Sequence, residues 1–273
     1  SPLGMFTSDP FIGNVVTGIL IAMLVAGVIF GGIKRIGLVA GRIVPLMVLI
    51  YLLGGVGILI KNYDKLGSVF NLIFSDAFTG NAVVGGVVGE VIRQGIRRAV
   101  FSNEAGLGTE VMAHGAAKTK EPVREGLVAM LGPFIDTILV CSITAFAILV
   151  SGVWNDPTLN GVSMTAKAFS QELGLVGDII LFFAVFSFSI TTMFGQSYYG
   201  AKCTGFLFGS RWKSNYNWFY VLSTIIGATV SISIVINLID GMYAIMAIPT
   251  MVSTILLAPK VMKETRRYFS TLD

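Results

Sequence analysis

Long apolar stretches constrain the fold of this chain more than any other feature of its sequence. A helix needs about 20 mostly apolar residues to cross the hydrocarbon core of a bilayer, and helices and closed barrels are the structures that satisfy every backbone polar group there. Apolar runs of about this length cover residues 11–31, 43–60, 126–151, 176–201, 217–237 and 241–258. The sequence therefore predicts an all-α polytopic membrane protein.

The amino-acid composition favours the same class and argues against others. Hydrophobic residues occupy 54% of the 273 positions and charged residues 12%, whereas a soluble domain carries roughly 25% charged residues. The formal net charge is only +4, so no nucleic-acid partner is expected. The sequence also lacks catalytic-triad, phosphate-loop and metal-cluster patterns. We therefore predict neither an enzyme nor a cofactor.

A further crossing is predicted at residues 80–117, where a membrane helix is interrupted. The run Phe101-Ser-Asn-Glu-Ala-Gly-Leu-Gly108 is rich in residues that weaken helices, either by competing for backbone hydrogen bonds or through the entropy of glycine. Within a bilayer, broken backbone survives only where protein or a water-filled cavity satisfies its polar groups. With this segment the chain has about seven crossings.

Two interpretations of the break are open. An interrupted helix is the typical binding site of a secondary transporter, because free N–H groups attract an anionic group and free C=O groups coordinate a cation. Ser102 and Asn103 add neutral hydrogen-bonding atoms, while Gly106 and Gly108 let a small ligand approach the backbone. The alternative is a structural re-entrant loop that closes a channel.

Asp136 is a second candidate, because it lies inside an apolar span. Ten residues into the span 126–151, it is expected about 15 Å deep, near the midplane and level with the break. An acid at this depth needs a partner to offset its desolvation. Three roles are open: a cation ligand, a hydrogen-bond brace for the break through Thr137, or a structural acid satisfied by neighbouring helices.

A polar stripe in the span 176–201 is the third candidate. Its members are Ser187, Ser189, Thr191, Thr192, Gln196 and Ser197. Because residues three or four apart share a helix face, Phe188, Thr191 and Thr192 can present a carbonyl and two hydroxyls together. Hard cations prefer such oxygen ligands. In the alternative interpretation, these hydroxyls bond back to their own helix or to a neighbouring one.

The distribution of basic residues predicts the orientation of the chain in the membrane. Lysine and arginine concentrate in alternate loops, whereas the opposite loops hold only Lys61, Lys65 and Lys167. The positive-inside rule then predicts a cytoplasmic C-terminus in the inner or plasma membrane and an external N-terminus. Because residues 1–10 are neither a signal peptide nor a span, we expect the chain to be the C-terminal part of a longer transporter.

Several motifs resemble those of the sodium:alanine symporter family (alanine or glycine:cation symporters). They are the run Gly95-Ile-Arg-Arg-Ala-Val-Phe-Ser-Asn-Glu-Ala-Gly-Leu-Gly108, Ala116-Ala-Lys-Thr-Lys-Glu-Pro-Val123, Phe134-Ile-Asp-Thr137, Gly32-Ile-Lys-Arg35, Ile43-Val-Pro45 and Tyr198-Tyr-Gly200. The resemblance runs in order over nearly the whole chain, and the Phe-Ser-Asn-Glu-Ala-Gly run is its most specific part.

This resemblance implies a LeuT-like fold, in which two inverted five-helix repeats each begin with a broken helix. The chain, expected as a single transmembrane domain over 1–273, would hold the end of the first repeat at 11–60 and the second repeat at 80–258, with its broken helix at 80–117. The first repeat's broken helix, with its Gly-Thr-Gly-Asn-type motif, is absent. Its partner would be the N-terminal half of the same transporter.

The resemblance also implies site residues. Substrate contacts would be Phe101, Ser102, Asn103, Glu104, Ala105 and Gly106 at the break, with Thr192, Met193 and Gln196 on the span 176–201. A sodium site would comprise Phe188, Thr191 and Thr192.

The function implied is symport of sodium with a small neutral amino acid, alanine or glycine. Two departures from the family pattern bear on the substrate: Gln196 replaces a frequent Trp, and Thr109-Glu110-Val111 replaces a small-Ala-Pro run. Transport of glutamine or another neutral amino acid, or coupling to protons, are therefore alternatives. A channel-forming subunit is the alternative from a different class.

Overall fold

The computed structural model describes residues 10–78, 87–104 and 106–271, and every regular element in these ranges is helical. The elements are α1 Pro10–Ile29, α2 Gly32–Lys61, α3 Tyr63–Phe78, α4 Val87–Asn103, α5 Glu110–His114, α6 Pro122–Ala129, α7 Leu131–Pro133, a π-helix Phe134–Cys141, α8 Ser142–Ser151, a 3-10 turn Val153–Asn155, α9 Val162–Leu173, α10 Leu175–Phe208, α11 Trp212–Gly227 and α12 Ile232–Ser270.

Five helical stretches of the described ranges are long and apolar enough to cross a membrane. They are Phe11–Ile29, Gly32–Lys61, Pro122–Ser151, Leu175–Phe208 and Ile232–Ser270. The prediction of a multi-pass all-α membrane protein is thus confirmed. Seven crossings stay a prediction, since α4 with α5 and α11 are shorter than a span and residues 79–86 lie outside the described residues.

The boundary between the last two predicted spans was wrong. The sequence placed it between 237 and 241, but helix α11 ends at Gly227, and Ser231 is extended, with φ −65° and ψ 138°, before α12 begins. Asp240 and Gly241 lie inside α12. The hydropathy pattern indicated a loop at this polar residue and glycine. A long helix accommodates both, so the chain does not break there.

The chain divides into two compact units, each with its own core. In the first, formed by the described residues of 1–44, 106–123 and 188–273, Val25, Ile29 and Phe194 are buried in one hydrophobic cluster. Helix α1 packs against α11 where Gly18 faces Ala228; a Cβ on Gly18 would lie 2.9 Å from the Ala228 Cβ. Small residues allow this close approach of membrane helices.

The second unit comprises the described residues of 45–105 and 124–187. Ile58, Ala147, Ala168 and Phe169 are fully buried there, and the Phe169 ring stacks on that of Tyr51 with centroids 5.3 Å apart. Helices α3 and α9 both pack against α8.

Candidate functional site

The predicted break is present, but it is shorter than the sequence indicated. Helix α4 continues through Phe101 and Ser102 to Asn103, and α5 begins at Glu110. Between them the backbone has positive φ at Glu104 (51°), Gly106 (75°) and Gly108 (81°). Ala105 lies outside the described residues.

The left-handed backbone explains the two glycines. Glycine adopts positive φ without a steric penalty, whereas for L-amino acids this conformation costs roughly 1–2 kcal/mol of conformational energy. Glu104 is the non-glycine residue in this conformation within the described ranges. A helix commonly ends on such a left-handed residue, so Glu104 terminates α4 where glycine would be usual.

Two side-chain pairs hold the end of α4 within the second unit. The Ser102 hydroxyl donates to Asp136 Oδ2. One residue on, Asn103 Nδ2 donates to Thr137 Oγ1 at 2.9 Å, and Thr137 Oγ1 can donate back to Asn103 Oδ1 at 3.2 Å. These contacts join the end of α4 to Asp136 and Thr137. The roles that the sequence left open for Asp136, a cation ligand, a brace for the break or a structural acid, stay predictions.

Asp136 and Thr137 lie on a π-helix, which sequence reasoning missed. Pro133 has no N–H to bond the carbonyl of Ala129, and α6 ends at Ala129. The chain then continues through α7 Leu131–Pro133 into the π-helix Phe134–Cys141. π-Helices are rare and frequent at functional sites. The Gly132-Pro133 pair was the available signal, but it predicts only an interruption.

The far side of the break packs within the first unit. Leu107 and Thr109 are buried, and a Cβ on Gly108 would lie 2.8 Å from Thr250 Oγ1. That hydroxyl donates to the Met246 carbonyl at 3.0 Å. Thr109 Oγ1 is buried without a hydrogen-bond partner among the described residues. Such an atom calls for water, an ion or another conformation.

The predicted cation ligands lie on α10. Thr191 Oγ1 donates to the Phe188 carbonyl at 3.1 Å, which is the back-bonding that the sequence left open. Thr192 is exposed, as is 54% of Phe188, whereas Ile190 and Phe194 on the opposite face are buried in the core of the first unit. The side chains of Phe188 and Thr192 therefore lie away from the packed face.

Met193 and Gln196, the other predicted contacts on α10, have different surroundings. The Met193 side chain packs against the core cluster, and its carbonyl accepts a hydrogen bond from Tyr220 Oη at 2.9 Å. Gln196 is half-buried. Sequence reasoning did not find Tyr220 or Thr250, because their contacts depend on which helices pack together.

The described residues contain no group of three or more His, Cys, Asp and Glu side chains that could hold a metal ion. Two separate oxygen pairs are present: Ser102 with Asp136 in the second unit, and Thr191 with the Phe188 carbonyl in the first. Oxygen atoms of this kind are ligands of hard cations, whereas resident transition metals take nitrogen and sulfur ligands.

Comparison with known proteins decides the class. The model of the sodium:alanine symporter family matches residues 4–273. The chain belongs to the sodium:alanine symporter family. Its resemblance to that family, drawn above from motifs, is confirmed. Members are membrane transporters of sodium and amino acids, not enzymes.

Sequence matches to related proteins cover most of this chain. It is 41% identical to the sodium/alanine symporter AgcS of Methanococcus maripaludis, over 96% of this chain and 58% of AgcS. It is 37% identical to an uncharacterized transporter of Haemophilus influenzae, over 94% of this chain and 58% of that protein. The probable sodium/glutamine symporter GlnT of Bacillus subtilis is 31% identical, over 92% of this chain and 53% of GlnT. The chain thus spans less than two thirds of these relatives.

Proposed function

We propose that this chain forms part of a secondary active symporter that couples sodium entry to uptake of a small neutral amino acid, alanine or glycine. The observation that carries the proposal is the helix break at Glu104–Thr109, with positive φ at Gly106 and Gly108, in a chain of the sodium:alanine symporter family. No covalent chemistry is needed, because a transporter returns its substrate unchanged.

In this proposal the break holds the charged ends of the amino acid. The substrate carboxylate lies against free backbone N–H groups, and its ammonium lies near free carbonyls at the end of α4. Ser102 and Asn103 are positioned by Asp136 and Thr137. The remaining contacts are Phe101, Glu104 to Gly106, and Thr192, Met193 and Gln196 on α10.

Sodium binds at the Phe188 carbonyl and the hydroxyls of Thr191 and Thr192. Oxygen ligands of a cation of this size lie about 2.4 Å from it, which separates adjacent ligands by about 3.4 Å. The Phe188 carbonyl oxygen and Thr191 Oγ1 are 3.1 Å apart, so both can contact one ion after a rotation of the hydroxyl. The exposure of Thr192 leaves this face open to further ligands.

The fold and location belong to the same proposal. A LeuT-like bundle with about seven crossings in this chain, forming a single transmembrane domain with a cytoplasmic C-terminus in the cell membrane, would place the break at mid-membrane. The residues that a transporter of the relatives' length has beyond the part matched here, which is 58% of AgcS, would complete the site. Rocking of one helix bundle against another would then alternate access.

The similarity to GlnT supports a second candidate substrate. GlnT is a probable sodium/glutamine symporter, and Gln196 offers an amide in the proposed pocket where the family resemblance predicts a Trp. A glutamine side chain could exchange two hydrogen bonds with that amide. Competition of unlabelled alanine, glycine and glutamine for uptake ranks these substrates.

The test uses a chimera in which this chain replaces the matching part of AgcS, reconstituted in proteoliposomes. Thr192→Val removes a cation ligand while keeping the side-chain shape, and should raise the sodium concentration for half-maximal alanine uptake about tenfold, equivalent to about 1.4 kcal/mol. Thr192→Ser keeps the hydroxyl, so the sodium concentration for half-maximal uptake should stay near that of the unaltered chimera. An unchanged sodium dependence in Thr192→Val would remove Thr192 from the cation site.

A channel-forming subunit makes a different prediction in the same vesicles. A symporter exchanges labelled for unlabelled alanine in saturable counterflow, whereas a channel passes alanine without saturation. Counterflow that saturates with external alanine therefore supports the symporter.

A further inference from the structure

One face of helix α12 carries a groove that the transport site does not use. Its volume is about 450 Å³, and it is lined by Ile255, Ala258, Pro259, Met262, Lys263 and Arg266. The spacing of three and four residues places these side chains along a single stripe of the helix. The stripe is apolar at Ile255 and basic at Arg266, and its two ends are about 16 Å apart.

The two cations of this groove are not neutralised by their neighbours. Arg267 Nε pairs with Glu264 at 2.7 Å, and Arg267 Nη2 pairs with Glu121 at 2.8 Å. Glu264, which neighbours Lys263 in sequence, and Glu121 are thus both paired with Arg267. Lys263 and Arg266 are exposed, and neither forms an ion pair among the residues that the structure describes.

The stripe lies where the helix would leave the hydrocarbon region. α12 has 39 residues, a length of about 58 Å, which exceeds the roughly 30 Å hydrocarbon core. The part of α12 before Lys260 is free of basic residues, and Lys260, Lys263, Arg266 and Arg267 follow within eight positions. A boundary between acyl chains and headgroups therefore falls along the groove.

Pro259 adds a polar feature to the apolar part. Because proline has no N–H, the carbonyl of Ile255 lacks the donor that would close its turn of helix. Both residues line the groove. An acceptor at this position can bond a hydroxyl or ammonium group of a ligand lying beside it.

We propose that this groove binds one anionic phospholipid. Its phosphate contacts Lys263 and Arg266, and an acyl chain lies along Ile255, Ala258 and Met262. The charged headgroup of such a lipid matches the basic end of the stripe, and its acyl chain matches the apolar end. Basic residues near an anionic membrane surface, and basic pockets on membrane helices, attract such headgroups.

The test measures lipid binding to the purified 273-residue protein in mild detergent. Dioleoyl phosphatidylglycerol or dioleoyl phosphatidylcholine is added, retained lipid is counted by native mass spectrometry, and the apparent melting temperature is recorded. Phosphatidylglycerol should bind with clear preference and raise the melting temperature. Lys263→Gln with Arg266→Gln should weaken that binding about tenfold. The matched control, Lys260→Gln with Arg42→Gln, removes two charges outside the groove lining and should retain the preference.

Further arms separate the lipid from other occupants. Ala258→Trp fills the apolar part and should reduce phosphatidylglycerol binding while both cations remain. Equal binding of phosphatidylglycerol by the Lys263/Arg266 variant and the unaltered protein would overturn the proposal. So would the same stabilisation by inorganic phosphate alone. Loss of the preference in the AgcS chimera would show that a protein segment covers the groove, and would equally overturn it.

Discussion

At the scale of single residues, the pair Ser102 and Asp136 decides between two roles for the intramembrane acid. The Ser102 hydroxyl donates to the Asp136 carboxylate, and hydrogen bonds to charged groups contribute about 1.5–3 kcal/mol. If Asp136 braces the end of α4, both members of the pair act on the same structure. If it is a cation ligand, its charge acts on sodium directly.

We expect the brace. Ser102→Ala and Asp136→Asn should each weaken alanine uptake about tenfold, and the double variant should be little worse than either, because interacting residues are not additive. Uptake kinetics over a range of sodium and alanine concentrations in the chimera measure this. A rise in the sodium requirement with Asp136→Asn alone would assign Asp136 to the cation site instead.

The two glycines of the break form a matched pair for a second prediction. Both have positive φ, but a Cβ on Gly106 would meet nothing within 4 Å, whereas one on Gly108 would lie 2.8 Å from Thr250 Oγ1. Gly106→Ala should destabilise the protein by about 1 kcal/mol through backbone strain alone. Gly108→Ala should destabilise the protein by about 2–4 kcal/mol, because overpacking against Thr250 adds to the backbone strain.

Unfolding in detergent, followed by tryptophan fluorescence, compares these variants. Thr250→Ala removes the hydroxyl that the new methyl group would meet, so it should restore part of the stability of Gly108→Ala and none of that of Gly106→Ala. Equal destabilisation by the two substitutions would mean that Gly108 does not approach Thr250.

At the scale of helices, two of the four glycines of α10 have opposite surroundings. The nearest atom to a Cβ on Gly195 would be Tyr199 Oη at 3.9 Å, but a Cβ on Gly200 would overlap the phenol of Tyr216. This overlap explains the glycine of the Tyr198-Tyr-Gly200 motif. The Tyr216 ring lies near the rings of Phe219 and Tyr220.

Alanine at these two positions should therefore act in opposite directions. Gly195→Ala should stabilise the protein by about 0.5–1 kcal/mol through helix propensity, and Gly200→Ala should destabilise it by about 1–3 kcal/mol through overpacking. The apparent melting temperature in detergent reports both. In a Tyr216→Ala background the penalty of Gly200→Ala should vanish; if it persists, another contact causes it.

Hydrophobic length predicted the positions of several helices. The run 11–31 corresponds to α1, and the run 176–201 to the first part of α10, which continues to Phe208. It failed where the helix end has no polar signal: α11 stops at Gly227, followed by Ala228 and Thr229. Local sequence also could not reveal the π-helix at 134–141, because proline marks an interruption but not how the chain resumes.

The site was predictable in its residue types and only partly in its contacts. The polar run at 101–108 indicated a break. Helix α4 nevertheless continues to Asn103, because Ser and Asn are tolerated at helix ends. The contacts of Ser102 with Asp136 and of Gly108 with Thr250 join residues far apart in the sequence. Such contacts follow from packing, which a single sequence does not specify.

At the scale of the whole molecule, two compact units hold different parts of the proposed site. Phe101 to Glu104 and the π-helix belong to one unit, whereas Gly106, Thr109 and the Thr191–Thr192 stretch belong to the other. The chain covers 58% of AgcS. Transport therefore has to be measured in a protein of the relatives' length, and the AgcS chimera provides one.

Gradient-driven uptake by that chimera tests the central claim most directly. Proteoliposomes with an inward sodium gradient should accumulate labelled alanine above its external concentration, and should fail to do so when potassium replaces sodium on both sides. AgcS and empty vesicles are the controls, and sodium-dependent thermal stabilisation verifies that the chimera is folded. Accumulation that follows a proton gradient without sodium, or that never exceeds equilibrium in a folded chimera, would contradict sodium-coupled symport.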